Sequence, residues 1–66
     1  MNIGEKIKNL RAVTGLSQEQ FAKELKIVRS ILACYETNRN QIPYDLLVAI
    51  AKYFEVTTDY LLGLED

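Results

Sequence analysis

Histidine and tryptophan are absent from the 66 residues, which include a single cysteine and a single proline. One cysteine cannot form an intrachain disulfide, and the ligand spacing of a zinc site is missing. No apolar run approaches the roughly 18 residues that a membrane-spanning helix needs, and the first residues lack the apolar segment of a secretion signal. We therefore expect a soluble cytoplasmic chain, folded as one domain over residues 1–66, that contacts no membrane and needs no metal or cofactor.

Side chains that carry catalytic chemistry are equally scarce. Gly4, Gly15 and Gly63 are scattered along the chain and form no loop that would cradle a phosphate. Cys34 has no histidine to activate it as a nucleophile, so we interpret it as a small, partly buried residue. We predict that the chain is not an enzyme and that it binds no small-molecule ligand.

The net charge of −1 argues weakly against a nucleic-acid partner, because a basic surface is the usual sign of one. The charges are unevenly distributed, however. Residues 1–40 hold seven basic and four acidic side chains, whereas residues 41–66 hold one basic and five acidic ones. One end of the chain could face phosphate groups while the other faces solvent or a partner. A mixed, solvated surface explains the charge pattern about as well.

Capping residues delimit two helices in the first part of the sequence. Asn2 can cap a first helix, whose apolar residues recur at helical spacing until Gly15 supplies a stop. Ser17, with Gln20 in the reciprocal position of a capping box, predicts the start of a second helix. We expect that helix to end near Leu25.

Residues 18–37, QEQFAKELKIVRSILACYET, predict two short helices that meet at a corner of residues 26–28. Phe21, Ala22 and Leu25 share one face before the corner, and Leu32 and Tyr35 share one face after it. The small Ala22 side chain lets the second of these helices approach the first closely. Such a layout is typical of a helix-turn-helix motif, whose second helix can lie in a DNA groove.

The remaining sequence predicts two further helices. A polar loop covers residues 37–41, and Pro43 begins a strongly apolar fourth helix, where its missing N–H costs nothing. Thr57 can cap a short fifth helix that ends at Gly63. The pattern therefore predicts an all-α fold of five helices, with the helix-turn-helix formed by helices 2 and 3.

Four segments carry a resemblance to a known family: IGEKIKNLR, GLSQEQFAKEL, the YE that closes the third helix, and AKYFEVTTDYLLG. They resemble the DNA-binding domain of the Cro/CI-type phage repressors and their bacterial relatives, the XRE family. The resemblance implies a compact five-helix, lambda-repressor-like domain that binds double-stranded DNA as a weak homodimer, with helix 3 in the major groove of a near-palindromic operator. The expected function is a sequence-specific transcriptional regulator acting as a repressor. The alternative is a protein-interaction module on the same fold, antitoxin-like or a coregulator, with weak or no specific DNA binding.

The resemblance also implies which residues contact DNA. The positions that face base edges in the family are occupied here by Val28, Arg29, Ser30, Ala33 and Cys34. Arg29 is the best candidate, because a guanidinium can bond guanine O6 and N7 together; a solvated or phosphate-contacting arginine is the alternative. Phosphate contacts are implied for Ser17, Gln18, Thr37, Asn38, Arg39, Asn40 and Gln41. Pure capping by Ser17 and an ordinary polar loop are the alternatives for this second set.

The resemblance also implies an ion pair between Arg11 and Glu36, for which two exposed charges are the alternative. Three departures from the family pattern follow from the same comparison. Lys26 stands in place of a corner glycine, which implies a lysine in the left-handed conformation, and Val28 stands in place of a Ser or Thr cap. Ile31, Ala33 and Cys34 occupy positions that are often polar, so the readout surface is poor in hydrogen-bonding groups. A weak dimer is expected through the last helix and the preceding loop, although Leu61 is better explained as closing the core. The residues assigned to that dimer are Val56, Tyr60, Leu61 and Leu64.

Overall fold

The computed structural model of the protein describes residues 2–64, and these residues form five α-helices, as predicted. None of the five is long and apolar enough to cross a membrane. The helices are α1 (Ile3–Val13), α2 (Gln18–Leu25), α3 (Arg29–Glu36), α4 (Tyr44–Phe54) and α5 (Thr58–Leu62).

The helices begin where the capping residues predict. The side chain of Asn2 accepts a hydrogen bond from the backbone N–H of Glu5 at 2.9 Å, and Ser17 and Gln20 make both bonds of a capping box. Thr57 caps α5 in the same way. Pro43 is the residue before α4 and not its first residue, a small correction, because its ψ of 147° is still extended. Local side-chain chemistry therefore sets most of the helix starts.

Each helix contributes one fully buried side chain to the core. Burial of such a side chain stabilises the fold by about 1.5–3 kcal/mol. The five residues, each 0% exposed, are Ile7, Phe21, Leu32, Ile50 and Leu61. The assignment of Leu61 to a dimer surface is therefore wrong, because no part of its side chain is available to a partner.

The corner between α2 and α3 has the left-handed conformation that the resemblance implies. Lys26 has φ 60° and ψ 40°, which is the left-handed region, and Val28 makes no side-chain cap for α3. Ala22 is 2% exposed, and its carbonyl accepts a hydrogen bond from the N–H of Ile27 at 3.0 Å. The corner is thus held by backbone hydrogen bonds despite a residue that disfavours positive φ.

Replacing Lys26 by glycine should raise the stability of the fold by about 1 kcal/mol, since glycine adopts positive φ without steric cost. Lys26 is exposed, so the substitution removes no core packing. The measurement is the urea denaturation midpoint at constant m-value. Glu55, at φ 58° after α4, offers the matched control, because Glu55→Gly should have the same sign. A lower midpoint for Lys26→Gly would mean that its side chain has a stabilising contact.

Candidate nucleic-acid interface

The beginning of α3 is presented to solvent, together with the residue that precedes it. Val28 is 65% exposed, and Arg29 and Ser30 are exposed as well. The structure brings four of the five predicted base-reading residues to one cleft of about 390 Å³, together with two residues from the predicted phosphate set. The residues lining this α3 cleft are Arg29, Ser30, Ala33, Cys34, Thr37 and Arg39.

The α3 cleft has cationic side chains and an apolar interior. Arg29 lies at the first turn of α3 and Arg39 follows its end, and none of the described residues lining the cleft is acidic. Ala33 and Cys34 are half-buried between them. The Thr37 hydroxyl donates to the carbonyl of Ala33 at 2.9 Å, so its proton is already used within the helix. Such a cleft suits a ligand that has an anionic group with apolar groups beside it.

The last residue of α3 has a buried carboxylate. The Glu36 side chain is 1% exposed and that of Arg11 is 13% exposed. Arg11 donates from Nε to Oε2 at 2.7 Å and from Nη2 to Oε1 at 3.2 Å. The remaining Nη1 group donates to the carbonyl of Leu16 at 2.8 Å. These contacts connect α1, the segment before α2 and the end of α3 through charge-assisted hydrogen bonds.

Gln18 is part of the same network. Its Nε2 group donates to Glu36 Oε1 at 2.9 Å, and its Oε1 atom accepts from Arg29 Nη1 at 3.4 Å. Both ends of the amide are therefore engaged within the protein, one N–H by Glu36 and the oxygen by Arg29. The second N–H of the amide makes no hydrogen bond to any of the described residues, and a phosphate contact by Gln18 stays a prediction.

The loop after α3 is anchored by one of its asparagines. Asn38 has φ 62°, and its Oδ1 atom accepts a hydrogen bond from the backbone N–H of Gly4 at 3.3 Å. This contact ties the start of α1 to the end of α3. The loop also borders a second cleft of about 360 Å³, lined by Ile3, Asn38, Arg39, Asn40, Gln41, Ile42, Leu47 and Leu62.

The residues assigned to a dimer surface differ in their exposure. Val56 and Tyr60 are half-buried against the core, and the Lys6 ammonium lies 4.4 Å from the centre of the Tyr60 ring. Leu64 is 72% exposed. Leu62 is 50% exposed, and the sequence interpretation did not include it in the dimer surface. The exposure of Leu62 could have been inferred, because successive helical residues turn by about 100° and the neighbouring Leu61 faces inward.

Metal-binding chemistry is absent from the described part of the chain. No group of acidic, cysteine or histidine side chains within residues 2–64 is placed to hold a metal ion. Cys34 is half-buried in the α3 cleft, where a thiol acts as a small apolar contact.

Known proteins resemble the chain along nearly its whole length. A family model described as "Helix-turn-helix domain" matches residues 4–66. The uncharacterized HTH-type transcriptional regulator YobD of Bacillus subtilis (strain 168) is 36% identical over 62 residues, which are 94% of this chain and 55% of YobD. The HTH-type transcriptional activator BcrR of Enterococcus faecalis is 35% identical over 66 residues, 100% of this chain and 32% of BcrR. The chain thus spans about half of one relative and a third of the other.

A solved structure has the same arrangement of helices. The P22 c2 repressor protein, crystallised with the synthetic operator 9T in the presence of Tl⁺, superposes with a TM-score of 0.89. The alignment covers 98% of both chains at 22% sequence identity. At that identity the similarity is one of fold.

Proposed function

The chain belongs to the XRE-type helix-turn-helix family, and we propose that it is a sequence-specific DNA-binding transcriptional regulator that places α3 in the major groove. The α3 cleft is the observation that carries this proposal. Four predicted base-reading residues, Arg29 among them, line this cleft together with Arg39, and the start of α3 beside it is exposed and has no side-chain cap. An α-helix fits the width of the major groove, and guanidinium groups bond both phosphate and guanine.

Electrostatics support an orientation with α3 toward DNA. The excess of basic residues lies within residues 1–40, which include α1 to α3, and the acidic excess lies within residues 41–66. A polyanion would therefore approach the helix-turn-helix side more favourably than the α4–α5 side. Unpaired N–H groups at the start of α3 and their helix dipole add to that preference.

Selection of bound sequences from random double-stranded DNA, followed by a salt titration on the selected site, tests the proposal. A specific binder should enrich one motif, and its affinity should fall steeply with salt because each neutralised phosphate releases counterions. Scrambled DNA of equal length is the control. Failure to enrich any motif at low salt would contradict sequence-specific recognition.

Replacing Arg29 by alanine should relax the preference at one base pair in each half-site and cost about 1–3 kcal/mol of binding free energy. Arg29 is exposed, so folding should be unchanged. The matched control is Arg39→Ala in the same cleft, which should weaken binding to all sequences alike if Arg39 contacts phosphate. The measurement is affinity for a panel of single-base-pair variants. An unchanged rank order with Arg29→Ala would show that Arg29 does not read a base.

The proposed operator is near-palindromic and binds a weak homodimer of the chain, because one recognition helix covers too few base pairs for useful selectivity. The exposed apolar side chains at the end of α5 support pairing there: Leu62 is 50% exposed and Leu64 is 72% exposed. Half-buried Val56 and Tyr60 can contribute only their edges to such a surface.

Leu64→Asp should reduce cooperative binding to a two-half-site operator about tenfold and leave binding to a single half-site unchanged. An added carboxylate would be desolvated and repelled across a symmetric contact. The measurement is a titration of both DNA targets. Val13→Asp on α1 is a control, since Val13 is 85% exposed and is not one of the residues assigned to the dimer surface. Equal loss on both targets would assign Leu64 to the fold of the monomer.

Repression is the regulatory outcome that we propose, by occupation of a promoter. The names of the relatives include an activator, so the direction of regulation needs its own measurement. A promoter fused to a reporter gene, with the selected operator placed over the start site, provides it. Expression that rises with the protein would contradict repression.

A protein-interaction module on the same fold is the second candidate function, antitoxin-like or a coregulator. The observation that favours it is the apolar character of the α3 surface, where Val28 is 65% exposed and the neighbouring Ala33 and Cys34 offer few hydrogen bonds. Salt dependence discriminates the two. An interface dominated by apolar contacts should respond little to ionic strength, whereas DNA binding should weaken steeply.

A further inference from the structure

The buried carboxylate of Glu36 determines which way the amide of Gln18 points. Glu36 Oε1 accepts a hydrogen bond from Gln18 Nε2 at 2.9 Å, and the carboxylate side chain is 1% exposed. An ionised carboxylate only accepts hydrogen bonds, whereas an amide has a donating end and an accepting end. The donating end of Gln18 must therefore face Glu36, and the accepting oxygen must face outward.

The outward oxygen of Gln18 lies beside Arg29. The guanidinium Nη1 donates to it at 3.4 Å, a long hydrogen bond, across the corner between α2 and α3. A guanidinium has donors and no acceptor, so it fits the orientation of the amide that Glu36 imposes. The Nε and Nη2 groups of Arg29 remain available, and two parallel N–H groups are what a guanine edge requires.

We infer that Glu36 is a positioning residue for base recognition, which acts through Gln18 to hold the Arg29 guanidinium toward a guanine. The inference rests on the proposed function. It assigns Gln18 a different effect from the phosphate contact expected from sequence. A phosphate contact strengthens binding to every sequence, whereas this hydrogen-bond chain strengthens discrimination at the one base pair that Arg29 reads.

The first test compares Gln18→Met with the unaltered 66-residue chain on the motif selected from random DNA. Methionine has a similar length but neither donates nor accepts strongly, so it removes both contacts of the amide. Discrimination at the base pair affected by Arg29→Ala should fall about tenfold, with the other positions unchanged. The double variant Gln18→Met/Arg29→Ala should lose no further discrimination there. The pair Gln18→Met/Arg39→Ala is the control and should be additive, because Arg39 lies outside the hydrogen-bond chain.

The second test removes the carboxylate and keeps Gln18. In Glu36→Gln the amide of Gln18 is free to reverse, so the same base pair should lose discrimination by a similar factor. Circular dichroism establishes that the variant is folded. If it is not, Arg11→Met/Glu36→Leu serves instead, since it leaves no buried charge behind. A merely structural role of Glu36 would lower the active fraction and leave the base preference unchanged.

The results separate this inference from the proposed function. If the unaltered chain selects a motif but Gln18→Met weakens every sequence by one common factor, Gln18 contacts only phosphate and the inference is overturned. Retained discrimination at the Arg29 base pair in the folded Glu36 variants also overturns it. If the unaltered chain binds DNA without preference, or not at all, both the inference and the proposed function fail.

Discussion

Replacing Arg11 by methionine should lower the free energy of unfolding by about 3–5 kcal/mol, because it leaves the Glu36 carboxylate buried with a single hydrogen bond from Gln18. Domains of this size have a total stability near the lower end of about 5–15 kcal/mol, so most of the margin would be lost. Methionine keeps the aliphatic part of the arginine side chain. The measurement is urea denaturation followed by circular dichroism.

The double variant Arg11→Met/Glu36→Leu is the control that identifies the cause. With both charges removed, no ion remains in the interior, and a hydrophobic pair of similar volume is often as stable as the ion pair that it replaces. Much of the stability lost in Arg11→Met should therefore return. A double variant as unstable as the single one would mean that packing by Arg11, and not its charge, is what matters. A loss below about 1 kcal/mol in Arg11→Met would show a pair screened like those at the surface.

Local features of the fold could be predicted from the sequence because their causes lie within a few residues. The capping box of Ser17 and Gln20 closes over three positions, and the left-handed corner at Lys26 is implied by the glycine that the family has there. The five helices similarly follow from apolar spacing and caps. Each of these features depends on backbone chemistry that neighbouring residues determine.

Contacts between distant segments could not be predicted in the same way. Gln18 donates to a carboxylate 18 positions away, and Asn38 accepts from a backbone N–H 34 positions away. Periodicity indicates which face of a helix is inward, but not which polar atom of another helix it meets. The family resemblance was sufficient to assign the residues of the candidate site, whereas the hydrogen-bond chain behind Arg29 could not be predicted from it.

Three residues other than glycine have positive φ, namely Lys26, Asn38 and Glu55, among those described. Each follows the end of a helix, where the chain must turn sharply to bring the next segment onto the core. A left-handed conformation costs roughly 1–2 kcal/mol for most side chains, and less for asparagine. The core offsets this strain, and Asn38 has the additional use of its side chain in anchoring α1.

Gly4→Ala should destabilise the fold by about 3 kcal/mol, although helix propensity alone favours alanine by about 1 kcal/mol. A Cβ atom at this position would lie 2.6 Å from the carbonyl oxygen of Tyr35 and 2.7 Å from that of Glu36. Both are backbone atoms, which cannot rotate away as a flexible side chain can. The start of α1 would have to move off the end of α3, and its hydrogen bond to Asn38 would lengthen.

Gly15→Ala is the matched control, because it separates steric contact from backbone strain. Gly15 has φ 79° with nothing within 4 Å of a new Cβ atom, so alanine there meets only the left-handed penalty of about 1–2 kcal/mol. Gly4 lies in a regular helix, where alanine would meet no φ penalty. Urea denaturation midpoints of both variants give the comparison. A greater loss at Gly4 than at Gly15 requires close approach of α1 to α3, since no local property of the helix predicts it. A stabilising Gly4→Ala would place the two helices farther apart than the structure does, and would remove the basis for the Asn38 anchor.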